Sequence, residues 1–239
     1  MKKIAVVIPA YGESTNIVEL CHEVLKHLPH TDILIVDDSP DNLTVDVISK
    51  LNHPQVTIKH RQTKGGRGSA VIQGIAECLK GEYDYFIEID ADFSHPPSQI
   101  PALIRQAEEE NLDLLIASRY LPDSKILNWP LSRRIFSKCA NLIAAALLQV
   151  PVHDYTNGFR LYSRRAAIEL TKSCGKLGSG FIALSEILVT LYYRKYAIGE
   201  VATIFANRIR GESSLSRKEI WNAFTGLRRI YKLKRELSK

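Results

Sequence analysis

Five short apolar runs set the rhythm of the first half of the chain. "KIAVVIPA" (residues 3–10), "DILIVDD" (32–38), "QVTIKH" (55–60), "YDYFIEID" (83–90) and "LDLLIAS" (112–118) are rich in β-branched residues. Their hydrophobicity is nearly continuous, as in strands covered on both faces. Between them lie "STNIVELCHEVLKHL", "NLTVDVISKL", "GRGSAVIQGIAECLK" and "PSQIPALIRQAEEE". In these the apolar residues recur every three or four positions, the spacing of one helix face. Ser14 or Thr15 is placed to cap the first helix. Strand–helix alternation at this spacing predicts an α/β, Rossmann-like, mainly parallel sheet flanked by helices. The second half loses the rhythm. It predicts a long amphipathic helix near 131–149, a loop "PVHDYTNGFRLYSRRA", a helix near 181–193, a strand "EVATIFANRI" and a last helix near 217–237. With no linker and no repeat, the chain reads as one domain with an elaborated C-terminal half.

Composition narrows the class. At 239 residues with 45% hydrophobic residues, the chain can build a sizeable core and is not a disordered one. Cys21, Cys78, Cys139 and Cys174 share no CxxC spacing, which fits reduced thiols in a cytosolic compartment better than a disulfide framework or a zinc site. The apolar start is too short for a signal peptide and is broken by Pro9. The most apolar later segment, "CANLIAAALLQVPV", falls short of a bilayer span. Charge is uneven: residues 208–239 hold ten Lys or Arg against three acids, while the whole chain carries only +6. The basic surface is therefore concentrated at the C-terminal end.

Ligands of open parallel sheets sit beyond the carboxyl ends of the strands. Glu13, Asp37, Asp38, Asp90 and Asp92 all fall there. Left unpaired they would repel one another, so this rim expects cations or sugar hydroxyls. An Asp-x-Asp pair at a strand end suits Mg²⁺ or Mn²⁺, hard ions that take carboxylate oxygens together with substrate phosphates. Arg119 ends the fifth strand on the same rim, and "RQTKGGRGSA" follows the third with Arg61, Lys64 and Arg67. That loop is neither a Walker motif nor a dinucleotide fingerprint, yet its glycines permit close backbone approach to a nucleotide. Acids and bases mixed on one rim suit a phosphorylated substrate bridged by metal.

"VVIPAYGESTNI", "ILIVDDSPDNL", "KGGRGSAVIQGI", "IDADFSHPP", "ASRY", "NWPLSRRIFSK", "DYTNGFRLY" and "RIRGESSL" follow one another along the chain. In that order they resemble the family 2 glycosyltransferases of the GT-A fold, and within them the polyprenol-phosphate glycosyltransferases of the dolichol-phosphate mannose synthase type. The likeness covers roughly residues 4–216. The remainder, 217–239, reads from its spacing and charge as a basic amphipathic helix. The likeness implies a GT-A catalytic domain over 1–216. It implies that Pro9, Tyr11, Glu13, Asp37, Asp38, Lys64, Ala91 and Arg208 line the donor. Asp90 and Asp92 would hold the metal, with Ser94 at the third metal-side position, and Arg119, Arg133 and Ser137 would bind the acceptor phosphate. Asp90, Asp92 and Arg119 are thus the catalytic candidates. One departure stands out: Ser214 occupies the place where relatives often carry Lys.

The resemblance implies metal-dependent, inverting transfer of a sugar from a nucleotide-sugar to polyprenyl or dolichyl phosphate, with mannose from GDP-mannose as the first expectation and a UDP-sugar or a non-lipid acceptor as the alternative. An acceptor phosphate monoester, mostly dianionic at pH 7, needs no general base, and no Ser-His-Asp or Cys-His arrangement is apparent. The expected location is cytoplasmic and peripheral to a membrane, with a membrane-embedded partner as a further possibility. The last helix, with Ile220, Trp221, Phe224, Leu227 and Tyr231 among basic residues, is one candidate for the membrane surface. In the helix near 131–149, Ile135, Leu142 and Leu147 are expected in the core more often than on a membrane. A nucleic-acid-binding role would rest on the basic tail alone, without a recognition motif, so no nucleic-acid partner is expected.

Overall fold

The computed structural model describes residues 2–178, 181–207 and 217–238. The first half follows the alternation closely: β1 (Ile4–Ala10), α1 (Ile17–His27), β2 (Asp32–Asp37), α2 (Leu43–Leu51), β3 (Val56–His60), α3 (Arg67–Cys78), β4 (Tyr85–Glu88), α4 (Ile100–Glu109) and β5 (Leu114–Ser118). A single 3₁₀ turn, Pro97–Gln99, leads into α4. The second half adds β6 (Lys125–Leu127), α5 (Leu131–Leu148), β7 (Arg160–Ser163), α6 (Arg164–Ser173), α7 (Phe181–Tyr193), β8 (Ile198–Ala202), β9 (Ile204–Ala206) and α8 (Arg217–Leu237).

Seven strands form one sheet in the order β3-β2-β1-β4-β7-β5-β8, and β6 pairs with β9 in a small second sheet. β7 runs antiparallel to β4 and β5; the other pairs are parallel. The central strands bury both faces, as their continuous hydrophobicity requires. Ile8, Ile35 and Ile87 pack towards α1 and α4 with Leu20 and Leu103, while Val7, Phe86 and Ile116 pack towards α3, α6 and α7 with Ile75, Leu170 and Ile187. Each fully buried aliphatic side chain of this kind contributes roughly 1.5–3 kcal/mol. α3 lies so close to β1 that a Cβ on Gly74 would fall 2.5 Å from Val7 Cγ1; any larger residue there must push the helix off the sheet.

Four local expectations are corrected. α1 begins after Asn16, not at Ser14 or Thr15, because the Glu13 carbonyl accepts from the amides of both Asn16 and Ile17 and forms the entry turn. The stretch expected as one strand over 200–209 is divided between two sheets at Thr203, whose hydroxyl donates to Gln99 Oε1. The stretch expected as a loop contains β7 and the start of α6, with the Ser163 hydroxyl capping that helix at Ala166 N. Ile135, Leu142 and Leu147 are not core residues: α5 buries Asn141, Ala144 and Leu148 and turns these three outward.

Because β1 to β5 run the same way, their carboxyl ends share one edge of the sheet. β7 runs back, so the residues just before Arg160 reach that edge too. The fold thereby gathers residues 9–13, 37–39, 60–67, 88–95, 118–120 and 154–158 along one rim.

Candidate active site

The rim is a set of carboxylates, each answered by donors from elsewhere in the chain. A buried carboxylate without partners costs several kcal/mol, so these pairings are what the fold requires. Asp37, fully buried at the end of β2, accepts from Ser39 through Oδ1 and faces His60 Nδ1 at 2.9 Å through Oδ2. Asp38 receives Arg61 through Nε and Nη2, the latter at 2.6 Å, together with the amides of Gly65 at 3.1 Å and Gly66 at 3.0 Å. This one carboxylate therefore holds the glycine-rich loop in place. Gly66, at φ +80°, makes the left-handed turn that opens α3. Glu13 accepts from the Asn16 side chain at 2.8 Å. Tyr11 is half-exposed, and the Lys64 ammonium lies 3.5 Å from its ring centroid. Pro9 sits within β1, opposite Val36.

Asp90 and Asp92 follow β4 on the loop that carries it onto the rim, with buried Ala91 anchoring the turn to the core. Arg67 Nε donates to Asp90 Oδ1 at 2.7 Å. Burial alone would raise the Asp90 carboxyl, but the Arg67 guanidinium holds it below the ordinary carboxylate range. Phe93, at φ +57°, is left-handed, a conformation that costs a non-glycine residue roughly 1–2 kcal/mol. The turn brings the Ser94 amide and hydroxyl onto Asp92 Oδ1 at 3.0 and 2.5 Å. The two carboxylates are thus oriented before any ligand arrives. Among the described residues no cluster of three His, Cys, Asp or Glu side chains could hold a metal ion. Two carboxylates fall short of an all-protein calcium cage. They fit a hard ion that completes its shell with diphosphate oxygens and water.

Just after β5, Arg119 is buried and forked onto Asp154. Its Nε donates to Oδ2 at 2.7 Å, its Nη2 to Oδ1 at 2.8 Å, and its backbone amide also reaches Oδ2. Nη2 makes a further bond to Thr156 Oγ1 at 2.7 Å. Its guanidinium lies 5.3–5.7 Å from the rings of Tyr120, Trp129 and Phe205. Arg133, from α5, stands 4.3 Å from the Trp129 ring and donates to Asn207 Oδ1 at 3.3 Å. Ser137, one turn on, accepts from the Tyr120 hydroxyl at 2.6 Å. Arg119, Arg133 and Ser137 are therefore linked through Tyr120 and Trp129, although they are far apart in sequence. His95 packs on Phe159 and Phe205 and meets Asn157 Oδ1 through Nε2 at 2.8 Å. Burial pushes its imidazole down to about 4, so at neutral pH it is an uncharged packing residue. Arg208 and Ser214 lie outside the described residues.

Sequence reasoning named Arg67 only as one basic residue of the glycine-rich loop, and passed over Asp154, Glu88 and Tyr162. Glu88 carried a signal, being a charge inside the apolar run "YFIEI". Asp154 opens the quoted motif "DYTNGFRLY", but its pairing with Arg119, 35 residues away, was not visible in the sequence.

Residues 5–171 match the model of "Glycosyl transferase family 2". The polyprenol monophosphomannose synthase of Mycolicibacterium smegmatis is 32% identical over 225 residues, covering 93% of this chain and 84% of that protein. The undecaprenyl-phosphate mannosyltransferase of Micrococcus luteus is 33% identical over 222 residues, covering 90% and 88%. The dolichol-phosphate mannosyltransferase of Pyrococcus furiosus is 34% identical over 236 residues, covering 97% of this chain but 63% of that longer protein. Among solved structures, glucosyl-3-phosphoglycerate synthase from Mycobacterium tuberculosis, in complex with Mn²⁺, UDP-glucose and phosphoglyceric acid, superposes with a TM-score of 0.69 at 19% identity. It covers 97% of this chain and 80% of that one, a likeness of fold.

Proposed function

This chain belongs to glycosyl transferase family 2, and from that premise we propose that it transfers a mannosyl residue from GDP-mannose to a polyprenyl phosphate at a membrane surface. The observation that carries the reading is the rim itself. Oriented Asp90 and Asp92 share the rim with an arginine-rich, aromatic-lined cluster around Arg119 and Arg133, and Phe205 faces both His95 of the aspartate loop and Arg119. The names of the three relatives, each a mannosyltransferase or synthase acting on a polyprenyl-type phosphate, support the same substrates.

Asp90, Asp92 and the Ser94 side of the loop would hold Mg²⁺ or Mn²⁺ against the donor diphosphate. That ion supplies Lewis-acid neutralisation of the departing nucleotide's charge. Pro9, Tyr11, Glu13, Asp37, Asp38 and Lys64 frame the nucleotide. Arg119, Arg133 and Ser137 orient the acceptor phosphate, whose oxygen attacks the sugar C1 directly with inversion. Asp154 fixes Arg119 through its fork, so the guanidinium is presented to substrate in one orientation. No side chain is needed as general base, consistent with neutral, enclosed His95.

The membrane surface enters through α5. Leu131, Ile135, Phe136, Leu142, Ile143 and Leu147 are 39–72% exposed on the side opposite its buried stripe. Arg133, Arg134 and Lys138 lie between them in sequence, with Arg133 and Arg134 turned towards Trp129 and the Ile126 carbonyl, so basic residues flank the apolar face as in a helix that lies in an anionic lipid interface. No helix among the described residues is long and apolar enough to cross a membrane. The described end of α8 is held to the protein: Ile230 is fully buried, and Lys234 donates to the Leu147 carbonyl and Gln149 Oε1. The side chains of Ile220, Trp221 and Phe224, named for the last helix in the sequence reading, lie outside the described residues, so the membrane reading here rests on α5.

The test is transfer from GDP-mannose, UDP-glucose and UDP-N-acetylglucosamine to undecaprenyl phosphate in anionic vesicles with Mg²⁺ or Mn²⁺. Mannolipid from GDP-mannose alone is expected. Transfer from a UDP-sugar only would move the donor assignment, and transfer to a water-soluble phosphate ester with none to lipid would overturn the acceptor.

A further inference from the structure

Arg67, the first residue of α3, commits its whole guanidinium beneath the rim. Nε donates to Asp90 Oδ1 at 2.7 Å, Nη1 to Glu88 Oε1, and Nη2 to the Gly158 carbonyl at 3.1 Å. Glu88 is fully buried, and its second oxygen accepts from the Tyr162 hydroxyl at 2.8 Å. The space is cut to the arginine: a Cβ on Gly158 would lie 1.9 Å from Nη2. Three partners from two segments, the end of β4 with its loop and the turn before β7, hold the guanidinium. The activity proposed above has no need of this arginine for contact with donor or acceptor, which leaves open what it is for.

Charge answers the question. Arg67 and buried Glu88 form one ion pair, and the same guanidinium stands at bonding distance, 2.7 Å, from one of the two candidate metal ligands. A divalent cation arriving alone meets a carboxylate already engaged by a fixed positive charge, and like charges a few ångströms apart in a partly buried site repel strongly. A nucleoside diphosphate arriving with the ion supplies oxygen ligands and negative charge on the far side, which offset this local repulsion. Arg67 is held in place by Glu88, itself bonded by Tyr162, and by the Gly158 carbonyl.

We propose that Arg67 is an internal counter-cation that keeps a bare divalent ion out of the Asp90–Asp92 site and lets it bind only in company with the nucleotide diphosphate. The inference rests on the metal reading of those two aspartates. In consequence the ion and the donor load together, and the ion leaves with the nucleotide product rather than staying behind.

The test is Mn²⁺ binding by electron paramagnetic resonance of the free ion, with and without GDP and with no turnover involved. Wild type is expected to bind Mn²⁺ weakly alone and at least about a hundredfold more tightly with GDP. Arg67→Met is expected to bind bare Mn²⁺ about tenfold more tightly or better, and to lose most of the dependence on GDP. Structural damage would weaken binding, so a gain separates the charge role from a merely architectural one. Arg67→Met strands Glu88 without its cation and is at risk of misfolding. The double variant Arg67→Met/Glu88→Gln removes both charges of the pair, and is expected to show a gain of the same sign and smaller size. Unchanged or weaker bare Mn²⁺ binding in the folded variant, or wild type binding bare Mn²⁺ as well as it does with GDP, overturns the role of Arg67 alone. No Mn²⁺ binding to wild type with GDP or UDP overturns the metal reading itself, and this inference falls with it.

Discussion

The rim at the strand ends and the outer face of α5 treat solvent in opposite ways. On the rim Asp37, Asp38, Asp90 and Asp154 each face donors from the chain itself, at 2.5–3.3 Å. On α5, six large apolar side chains stand exposed. The difference follows from cost. A buried charge without a partner is penalised by several kcal/mol, so it must be answered within the fold, whereas an exposed methyl group costs little until something covers it. A ligand of the rim must therefore exchange with partners already in place. A ligand of α5 gains by covering apolar surface.

That contrast breaks most sharply at Asp92. Asp92→Asn keeps the shape of the loop and its bond from Ser94, and removes one charge from the diphosphate site. Turnover is expected to fall by about a thousandfold or more, since several kcal/mol of leaving-group stabilisation goes with it, while the melting temperature stays close to wild type. Near-normal activity in a transfer assay would remove the metal role.

Asp154→Ala probes the other kind of rim residue, one whose partner is buried with it. It leaves the Arg119 guanidinium without a counter-charge, and the expected cost is about 3–5 kcal/mol in a urea titration. A loss under 1 kcal/mol would show that the fork contributes little to the fold.

On α5 the expected effect is on location more than on chemistry. Ile135→Glu/Leu142→Glu places two charges on the outward face and is expected to lower binding to anionic vesicles by about tenfold or more. Folding should be unaffected. Unchanged sedimentation with vesicles would deny this face its lipid.

The smallest effect sharpens the rim by pH. Burial alone would raise the Asp154 carboxyl; the charge and N–H donors of Arg119 outweigh it and hold the group below the ordinary carboxylate range. A depressed folded value means that the unfolded chain binds the extra proton first. The stability from this pair is therefore complete above the unfolded value near 4 and is lost as pH falls through the folded one. Asp154→Asn is expected to have a shallower acid limb in stability from pH 5 to pH 2 than wild type. Parallel limbs would assign acid unfolding to other groups.

Much of the fold was legible because its signals are local. Continuous β-branched runs located β1 to β5, and three- and four-residue spacing located α1 to α5 and α7 to within a few residues. β7 was missed because "FRLYS" is short, follows a turn-rich stretch and becomes a strand only where β4 and β5 leave a gap for it. The exposure of Ile135, Leu142 and Leu147 was missed for a related reason: periodicity shows that a helix has an apolar side, and not whether another element lies against it. The rim acids were visible as strand-end residues among basic ones, but which cation meets which acid was not. Arg61 and Arg67 stand six residues apart in one stretch and look alike in sequence, yet one answers Asp38 and the other Asp90 and Glu88.

By itself, then, the sequence determined the strand–helix alternation, the edge on which the chemistry gathers, and the motifs that place the chain in its family. These are properties of neighbouring residues, set by backbone periodicity and by where each strand stops. Only the tertiary structure decided which cation meets which carboxylate and which apolar face is left open. Both depend on contacts between residues tens of positions apart, and an ion pair or a covering surface is fixed by distance in space, for which spacing along the chain carries no measure.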